Sequence, residues 1–137
     1  GIAYTKAELT AYMTTVGVFT LVAESRLKGD GGTEQTEESK APSIAGFIIA
    51  QSNRKGMGHI ITIDVLAEAR RSGIGSSLLA AAEQRLRNIN CHHVRLETAI
   101  DNVAAQKFYE RHEYAIVKTI ARYYSNGTDA FVLEKTL

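Results

Sequence analysis

The stretch ARRSGIGSSLL, residues 69–79, places Gly73 and Gly75 at the point where a helix should begin. It follows a β-branched apolar run, residues 59–65, and precedes an alanine- and leucine-rich run, residues 76–87, with apolar side chains at helical spacing. Glycine is a poor helix former, so the pair indicates a tight turn or the close approach of another group to the backbone. The chain is therefore predicted to contain a strand–turn–helix unit.

This turn has the chemistry of an anion site. The N–H groups of a helix's first turn lack intrahelical acceptors, and the helix dipole adds partial positive charge there. The flanking residues supply positive charge and hydroxyl groups: Arg70, Arg71, Ser76 and Ser77. The turn lacks the Gly-x-x-x-x-Gly-Lys-[Ser/Thr] pattern of ATP-binding loops and a full Gly-x-Gly-x-x-Gly dinucleotide pattern. It is interpreted as a phosphate or pyrophosphate cradle, and the alternative is a plain tight turn.

Length and composition exclude several classes of protein. A chain of 137 residues suits one domain, residues 1–137, and a net charge of +1 gives no field that would attract nucleic acid or an anionic membrane. Cys91 is the only cysteine, so no intrachain disulfide can form. Neither a run long enough for a membrane span nor an export leader is visible, and a cytoplasmic protein is expected.

Periodicity and turn residues divide the chain into alternating elements, so a mixed α/β domain is predicted. The predicted helices cover residues 5–14, 76–87 and a segment from Asp101 or Asn102 to about His112. The predicted strands cover residues 16–23, 44–50, 59–65, 93–98, 114–120 and 130–135. Residues 24–43 are predicted to be a loop, mobile over 29–40, and residues 51–58 and 121–129 to be connections.

Several short motifs resemble the GNAT superfamily of acyl-CoA-dependent N-acetyltransferases. Arg70-x-x-Gly73-x-Gly75 is similar to the Arg/Gln-x-x-Gly-x-Gly/Ala pattern of that family. The order and spacing of the other motifs resemble the RimI-like branch, which acetylates N-terminal α-amines. Those motifs are Ile63-Asp64-Val65, residues 96–102, Ala104-Ala105, Phe108-Tyr109-Glu110, Arg122-Tyr123-Tyr124, Gly127 and Asp129-Ala130. The resemblance extends from about residue 16 to residue 137.

The resemblance implies a mostly antiparallel sheet flanked by helices, with two splayed parallel strands, here 59–65 and 93–98, at an acetyl-CoA site. The pyrophosphate would bind the N–H groups of residues 71–76, and the pantetheine arm would run along residues 63–65. Asn102 would help to hold the pantetheine. The residues that the resemblance assigns to acetyl-CoA are Ile63, Asp64, Val65, Arg70, Arg71, Ser72, Gly73, Ile74, Gly75, Ser76 and Asn102. No metal is expected.

Acetyl transfer to an amine needs a base for the amine and a donor for the leaving thiolate. In the RimI-like pattern the residue at Glu97 is the proposed general base, and the tyrosine at Tyr109 is the general acid. From the residues alone, Glu97 could be a solvated strand glutamate, and Tyr109 could be a core aromatic residue beside Phe108. Direct attack by the amine is expected, and Cys91 is not assigned an acyl-carrying role.

Other polar and aromatic residues have two interpretations each. His59 could relay protons at the substrate mouth or have a structural role. Tyr123 and Tyr124 could wall an acceptor groove, as the resemblance suggests, or pack within a hairpin turn. Neither the four histidines nor Cys91 have the spacing of a metal site.

Three features depart from the family pattern. The family normally has a first strand and a first helix before the segment at Thr5, and here they are expected to be missing or almost so. The chain, read as N-terminally short, would then be a fragment, have an unusual acceptor site, or be completed by a second copy in a homodimer or by a complex partner. Asp64 stands where a small or apolar residue is usual and could attract an amine. Glu113 stands where a helix-ending glycine is usual, and a left-handed conformation there would cost about 1 kcal/mol more than with glycine.

The acceptor implied by the resemblance is the α-amine of a protein or peptide N-terminus. A small-molecule amine or a lysine side chain is the alternative within the same chemistry. A CoA-binding module without catalysis is an alternative of a different class. No nucleic-acid or membrane partner is expected.

Overall fold

The computed structural model describes residues 4–27 and 43–137. The described residues form seven strands, two α-helices and a short 3-10 turn, Ala67–Ala69. In chain order the elements are β1 (Tyr4–Thr15), β2 (Val18–Leu27), β3 (Ser43–Ser52), β4 (Met57–Val65), α1 (Ile74–Asn88), β5 (His93–Ala99), α2 (Val103–Arg111), β6 (Ala115–Ile120) and β7 (Ala130–Thr136). The strands form one sheet in the order β1-β2-β3-β4-β5-β7-β6, which confirms the mixed α/β prediction.

The predicted helix over residues 5–14 is wrong, because these residues belong to strand β1. β1 pairs antiparallel with β2, from Glu8 opposite Glu24 to Met13 opposite Phe19. Gly17, with a φ of 82°, lies in the tight turn between the two strands. A helix of this length is marginal without tertiary packing, whereas the hairpin pairs the backbone groups of the two strands, with irregularities only near the ends of β1. The local capping pattern at Thr5 is therefore overridden by strand pairing.

Other boundaries differ by a few residues. β2 continues to Leu27, so residues 24–27 of the predicted loop are strand, and the predicted mobile segment 29–40 lies outside the described residues. The 51–58 connection is shorter than predicted, because β3 runs to Ser52 and β4 starts at Met57. The side chain of Asn53 closes that turn by accepting from the backbone N–H of Lys55 at 2.9 Å and of Met57 at 3.0 Å.

The chain divides into two compact units, of which the first comprises residues 1–50 and 62–82. Alternate residues of β2 are buried, as are Leu78 and Leu79 of α1. Gly46 of β3 permits a close approach by β4, since a Cβ atom there would lie 2.7 Å from the carbonyl oxygen of Asp64. The backbone N–H of Leu66 then donates to the carbonyl oxygen of Ala45 at 2.8 Å. These contacts fix the end of β4 just before the glycine turn.

The second unit comprises residues 51–61 and 83–137. β5 pairs antiparallel with β7, and β7 pairs antiparallel with β6. The buried carboxylate of Glu83 accepts hydrogen bonds from the hydroxyl of Tyr114 at 2.7 Å and from Nζ of Lys135 at 2.9 Å. The three side chains tie α1 to β7 and to the residue that precedes β6. Burial and the bond to Glu83 raise the pKa of Tyr114.

Candidate active site

The glycine turn is held by its own side chains. Nε of Arg70 donates to the carbonyl oxygen of Val65 at 3.1 Å, and the hydroxyl of Ser72 donates to the carbonyl oxygen of Ala69. Arg70 and Ser72, assigned to acetyl-CoA by resemblance, thus shape the loop in this structure. Arg71 is exposed and has a left-handed φ of 65°.

Gly73 combines a left-handed backbone conformation with open space beside its α-carbon. Its φ is 85°, and no heavy atom lies within 4 Å of a Cβ atom built there. The protein itself therefore needs the backbone conformation at Gly73 and leaves the space above it open. The first backbone bond of α1 runs from the N–H of Ser77 to Gly73, so the N–H groups of Ile74 and Gly75 precede the helical ladder. The first turn contains no acidic residue that would repel an anion.

The residues of β4 that are predicted to lie along the pantetheine arm are partly half-buried and partly exposed. Ile63 and Val65 are half-buried, and Asp64 is exposed. Alternation along the strand places Asp64 on the face opposite to Ile63 and His59. Asn102 is the N-cap of α2, as predicted, and its Oδ1 accepts from the N–H of Ala105 at 3.1 Å. Only the amide nitrogen of Asn102 is left as a donor for a ligand.

The parallel pairing of β4 with β5 is short. It covers three residue pairs, from Met57 opposite His93 to His59 opposite Arg95, although β5 continues to Ala99. Glu97 therefore lies on a part of β5 that has no partner in β4. Its other edge is paired with β7, where Glu97 lies opposite Val132. A ladder that stops after a few pairs is expected where two parallel strands splay apart.

Glu97 is in contact with two basic side chains. Oε2 of Glu97 lies 2.6 Å from Nε2 of His59, and Oε1 lies 3.8 Å from Nε of Arg95. A carboxylate can only accept, so Nε2 of His59 carries the proton in this contact. The side chain of Glu97 is 12% exposed, whereas that of His59 is 31% exposed. Glu97 is thus partly buried and held by β4, which differs from a freely solvated strand glutamate.

Tyr109 of α2 is buried, and its ring lies 5.3 Å from that of Phe108 and 5.8 Å from that of Tyr114. Burial, and to a lesser extent the charge of Tyr124, raises the pKa of Tyr109 to about 12. The phenol therefore stays protonated at neutral pH and can donate. The core position and the donor role are compatible in this structure.

Tyr123 and Tyr124 lie in the connection between β6 and β7, with ring centroids 5.0 Å apart. Tyr123 is exposed and Tyr124 is half-buried. Burial raises the pKa of Tyr124, and the charges of Tyr123, Glu97 and Asp101 raise it further. Tyr124 is therefore close enough to Tyr109 and Glu97 to interact with them electrostatically. Asp129 pins the start of the connection by accepting from the N–H of Arg122 at 2.9 Å.

Sequence reasoning missed two contributors to this site. Arg95 was not singled out, although its alternation with Glu97 on one face of β5 follows from strand geometry. Gly46 lies within the predicted strand 44–50, and an isolated glycine in a strand often marks a close backbone approach. Within the described ranges, no group of three His, Cys, Asp or Glu side chains could hold a metal ion. No helix in those ranges is long and apolar enough to cross a membrane.

Comparison with known proteins identifies the family. Residues 24–114 match the acetyltransferase (GNAT) family. An uncharacterized N-acetyltransferase of Methanocaldococcus jannaschii is 39% identical over 93 residues, which cover 67% of this chain and 59% of that protein. An N-alpha-acetyltransferase of Saccharolobus solfataricus is 36% identical over 107 residues, which cover 69% of this chain and 64% of that protein.

Comparison with solved structures agrees with this family. A solved structure described as the NatC complex bound to Gag peptide and CoA contains a similar chain, with 28% identity and a TM-score of 0.67. That similarity covers 86% of this chain and 70% of the other. The chain spans about three fifths of the length of the curated relatives that it matches. By the family match and the shared fold, this chain belongs to the GNAT acetyltransferase family.

Proposed function

We propose that the protein transfers an acetyl group from acetyl-CoA to the α-amine of a protein or peptide N-terminus. The contact between His59 and Glu97 carries this proposal, because it holds a carboxylate on the part of β5 that has no partner in β4, with one oxygen bonded and the other without a hydrogen bond from the described residues. The similar N-alpha-acetyltransferase and the peptide named in the NatC structure support an N-terminal acceptor.

The glycine turn is proposed to bind the pyrophosphate of acetyl-CoA. The N–H groups at the start of α1, the left-handed backbone at Arg71 and Gly73, and the positive charge of Arg71 favour an anion there. Ile74, Gly75 and Ser76 are proposed to contact the pyrophosphate with their backbone N–H groups. Ile63, Asp64 and Val65 are proposed to contact the pantetheine arm with backbone groups. The amide of Asn102, in the second unit, is likewise proposed to contact the pantetheine.

Glu97 is proposed to act as the general base. An amine is protonated near neutral pH and must lose a proton before it can attack the thioester. The new bond joins the amine nitrogen to the acetyl carbon, the carbon–sulfur bond breaks, and the amine proton passes to Glu97. His59 donates to the other oxygen of Glu97, so it orients the carboxylate.

Tyr109 is proposed to stabilise the departing thiolate. With a pKa of about 12, its phenol is a weaker acid than a thiol, whose ordinary pKa is about 8.5. A hydrogen bond to the thiolate is therefore favoured over complete proton transfer. Tyr123 and Tyr124 are proposed to contact the acceptor, and the position of Tyr124 near Glu97 supports this assignment.

The test compares Glu97→Gln and Tyr109→Phe with the unchanged protein. Losing a general base or a positioned donor should lower kcat by about 10²- to 10⁴-fold, while acetyl-CoA affinity, measured by calorimetry, should stay within about twofold. Full activity in both variants would refute the roles. Acceptors should include peptides with free and with blocked N-termini, a lysine-containing blocked peptide and small amines. Acetyl-CoA binding without turnover of any acceptor would indicate a non-catalytic binding module instead.

A further inference from the structure

Arg95 has a buried donor that no residue satisfies. Nε of Arg95 is inaccessible to solvent and has no hydrogen-bond partner in the part of the chain that the structure describes. The nearest carboxylate oxygen, Oε1 of Glu97, lies 3.8 Å away, which is an ion-pair distance and too long for a hydrogen bond. The side chain as a whole is 40% exposed. Because the rest of the guanidinium side chain is exposed, a small rotation about its own bonds presents this unsatisfied donor to an oxygen atom of a ligand.

The charges around Arg95 do not select an acidic ligand. His59 lies opposite Arg95 on β4, and Glu134 lies opposite it on β7. Lys118 of β6 faces Val132, which in turn lies opposite Glu97. This face of the second unit therefore carries both signs of charge. The distinguishing feature of Arg95 is local, namely an unsatisfied N–H group next to the carboxylate that receives the amine.

We infer that Arg95 binds the carbonyl oxygen of the acceptor's first residue and thereby selects α-amines over side-chain amines; this inference rests on the function proposed above. In an α-aminoacyl group the amine nitrogen and the carbonyl oxygen are about 2.7–3.6 Å apart, depending on the torsion about the bond between the α-carbon and the carbonyl carbon. Nε of Arg95 and Oε1 of Glu97 are separated by 3.8 Å, so one α-aminoacyl group can bond both. The ε-amine of lysine is four methylene groups from its own backbone and brings no such oxygen.

The test removes the proposed hydrogen bond in two ways, first by deleting the carbonyl oxygen of the acceptor and then by replacing Arg95. The acceptors are an N-terminal alanine peptide and the same peptide with an (E)-alkene in place of its first peptide bond, which lacks only that carbonyl oxygen and N–H. The enzymes are the unchanged protein, Arg95→Met, Arg95→Lys and the control Lys118→Met, which removes an exposed cation from the same face. The measured quantity is kcat/KM for each pair.

The alkene should lower kcat/KM of the unchanged protein by about 10- to 100-fold, as expected for losing a hydrogen bond from a charged donor. Arg95→Met should lower kcat/KM by a similar factor for the ordinary peptide, and it should leave kcat/KM for the alkene nearly unchanged. Arg95→Lys should retain part of the preference for the carbonyl, and Lys118→Met should retain all of it.

Equal losses for both acceptors in Arg95→Met would mean that Arg95 acts only through Glu97, and would overturn the inference. So would an unchanged protein that uses the two acceptors equally, a result that does not depend on the folding of any variant. If the unchanged protein acetylates only the ε-amine of a blocked peptide, the proposed N-terminal function fails and the inference fails with it.

Discussion

Tyr114 donates its hydroxyl to the buried carboxylate of Glu83 over 2.7 Å, and Lys135 donates to the other oxygen of that carboxylate over 2.9 Å. Nζ of Lys135 also lies 5.7 Å from the centroid of the Tyr114 ring. Glu83 has a relative exposure of only 5%, so both of its bonds are made away from water. A buried carboxylate is tolerated only when it is paired and hydrogen-bonded in this way.

Replacing Tyr114 with Phe should therefore lower the free energy of unfolding by about 2 kcal/mol, because the carboxylate of Glu83 loses a charged hydrogen bond but stays buried. Urea denaturation at pH 7 measures this change. The matched control is Tyr12→Phe, since Tyr12 is 49% exposed and loses little when its hydroxyl is removed. Equal stability of the two variants would contradict a stabilising bond between Tyr114 and Glu83.

Alkaline pH should destabilise the protein through its buried tyrosines. The pKa of Tyr109 is raised to about 12, above the ordinary value of about 10, so the folded state favours the protonated phenol. The stability that comes from this preference is fully present below about pH 10 and is lost as the pH rises towards about 12. For a pKa shift of this size, the free energy of unfolding falls by up to about 2–3 kcal/mol over that range. Tyr114 shifts in the same direction.

Urea denaturation between pH 9 and pH 12 checks this expectation. Tyr109→Phe should lose stability less steeply over that range than the unchanged protein, whereas Tyr12→Phe should follow the unchanged protein. A Tyr109→Phe variant with the same steep decline would show that Tyr109 does not contribute to it.

Gly73 and Gly127 form a matched pair for testing the anion cradle. Their φ angles are 85° and 84°, and a Cβ atom on either would meet nothing within 4 Å. Alanine at either position should lower stability by about 1 kcal/mol through backbone strain. Only Gly73→Ala should weaken acetyl-CoA binding, by about tenfold or about 1.4 kcal/mol, since its methyl group enters the space proposed for the pyrophosphate.

Calorimetric titration with acetyl-CoA and thermal melts separate these two effects. Equal loss of affinity in Gly73→Ala and Gly127→Ala would attribute the change to general destabilisation. Unchanged affinity in both variants would leave Gly73 as a turn residue only.

Glu113 follows α2 with a left-handed φ of 72°. Replacement by Gly should raise the free energy of unfolding by up to about 1 kcal/mol, because glycine adopts this conformation without a Cβ clash. Asn90 has a φ of 67° and is the control, since asparagine tolerates the left-handed region better than glutamate does. Glu113→Gly should therefore stabilise the protein more than Asn90→Gly, as measured by urea denaturation at pH 7. The reverse order would contradict a strained Glu113.

Local sequence signals predicted the elements that surround the site. The strand before the glycine turn, the helix after it and the Asn102 cap all follow from periodicity and capping chemistry within about ten residues. The same kind of reasoning failed at residues 5–14, where a local capping pattern competes with a hairpin. Pairing with β2 decides that case, and pairing partners cannot be read from a cap.

The contact between His59 and Glu97 could not be predicted from spacing. The two residues are 38 positions apart, and α1 lies between them in the chain. Their approach depends on the register of β4 against β5, which the sequence pattern does not specify to one residue. The family resemblance indicated Glu97 but left His59 open, and the Arg95 donor emerged only from its burial.

The three-pair ladder between β4 and β5 ends at His59 opposite Arg95, and these are the two side chains that face Glu97. A slip of one residue in this short ladder would turn His59 to the face opposite to Glu97, whereas Arg95, on the same strand as Glu97, would stay beside it. Because three pairs give little resistance to slippage, correct alignment must be enforced by the neighbouring strands and by α1. A molecule with this register misaligned would keep its secondary structure but lose the contact between His59 and Glu97. Enzymatic activity would therefore report correct strand alignment, which secondary structure content does not.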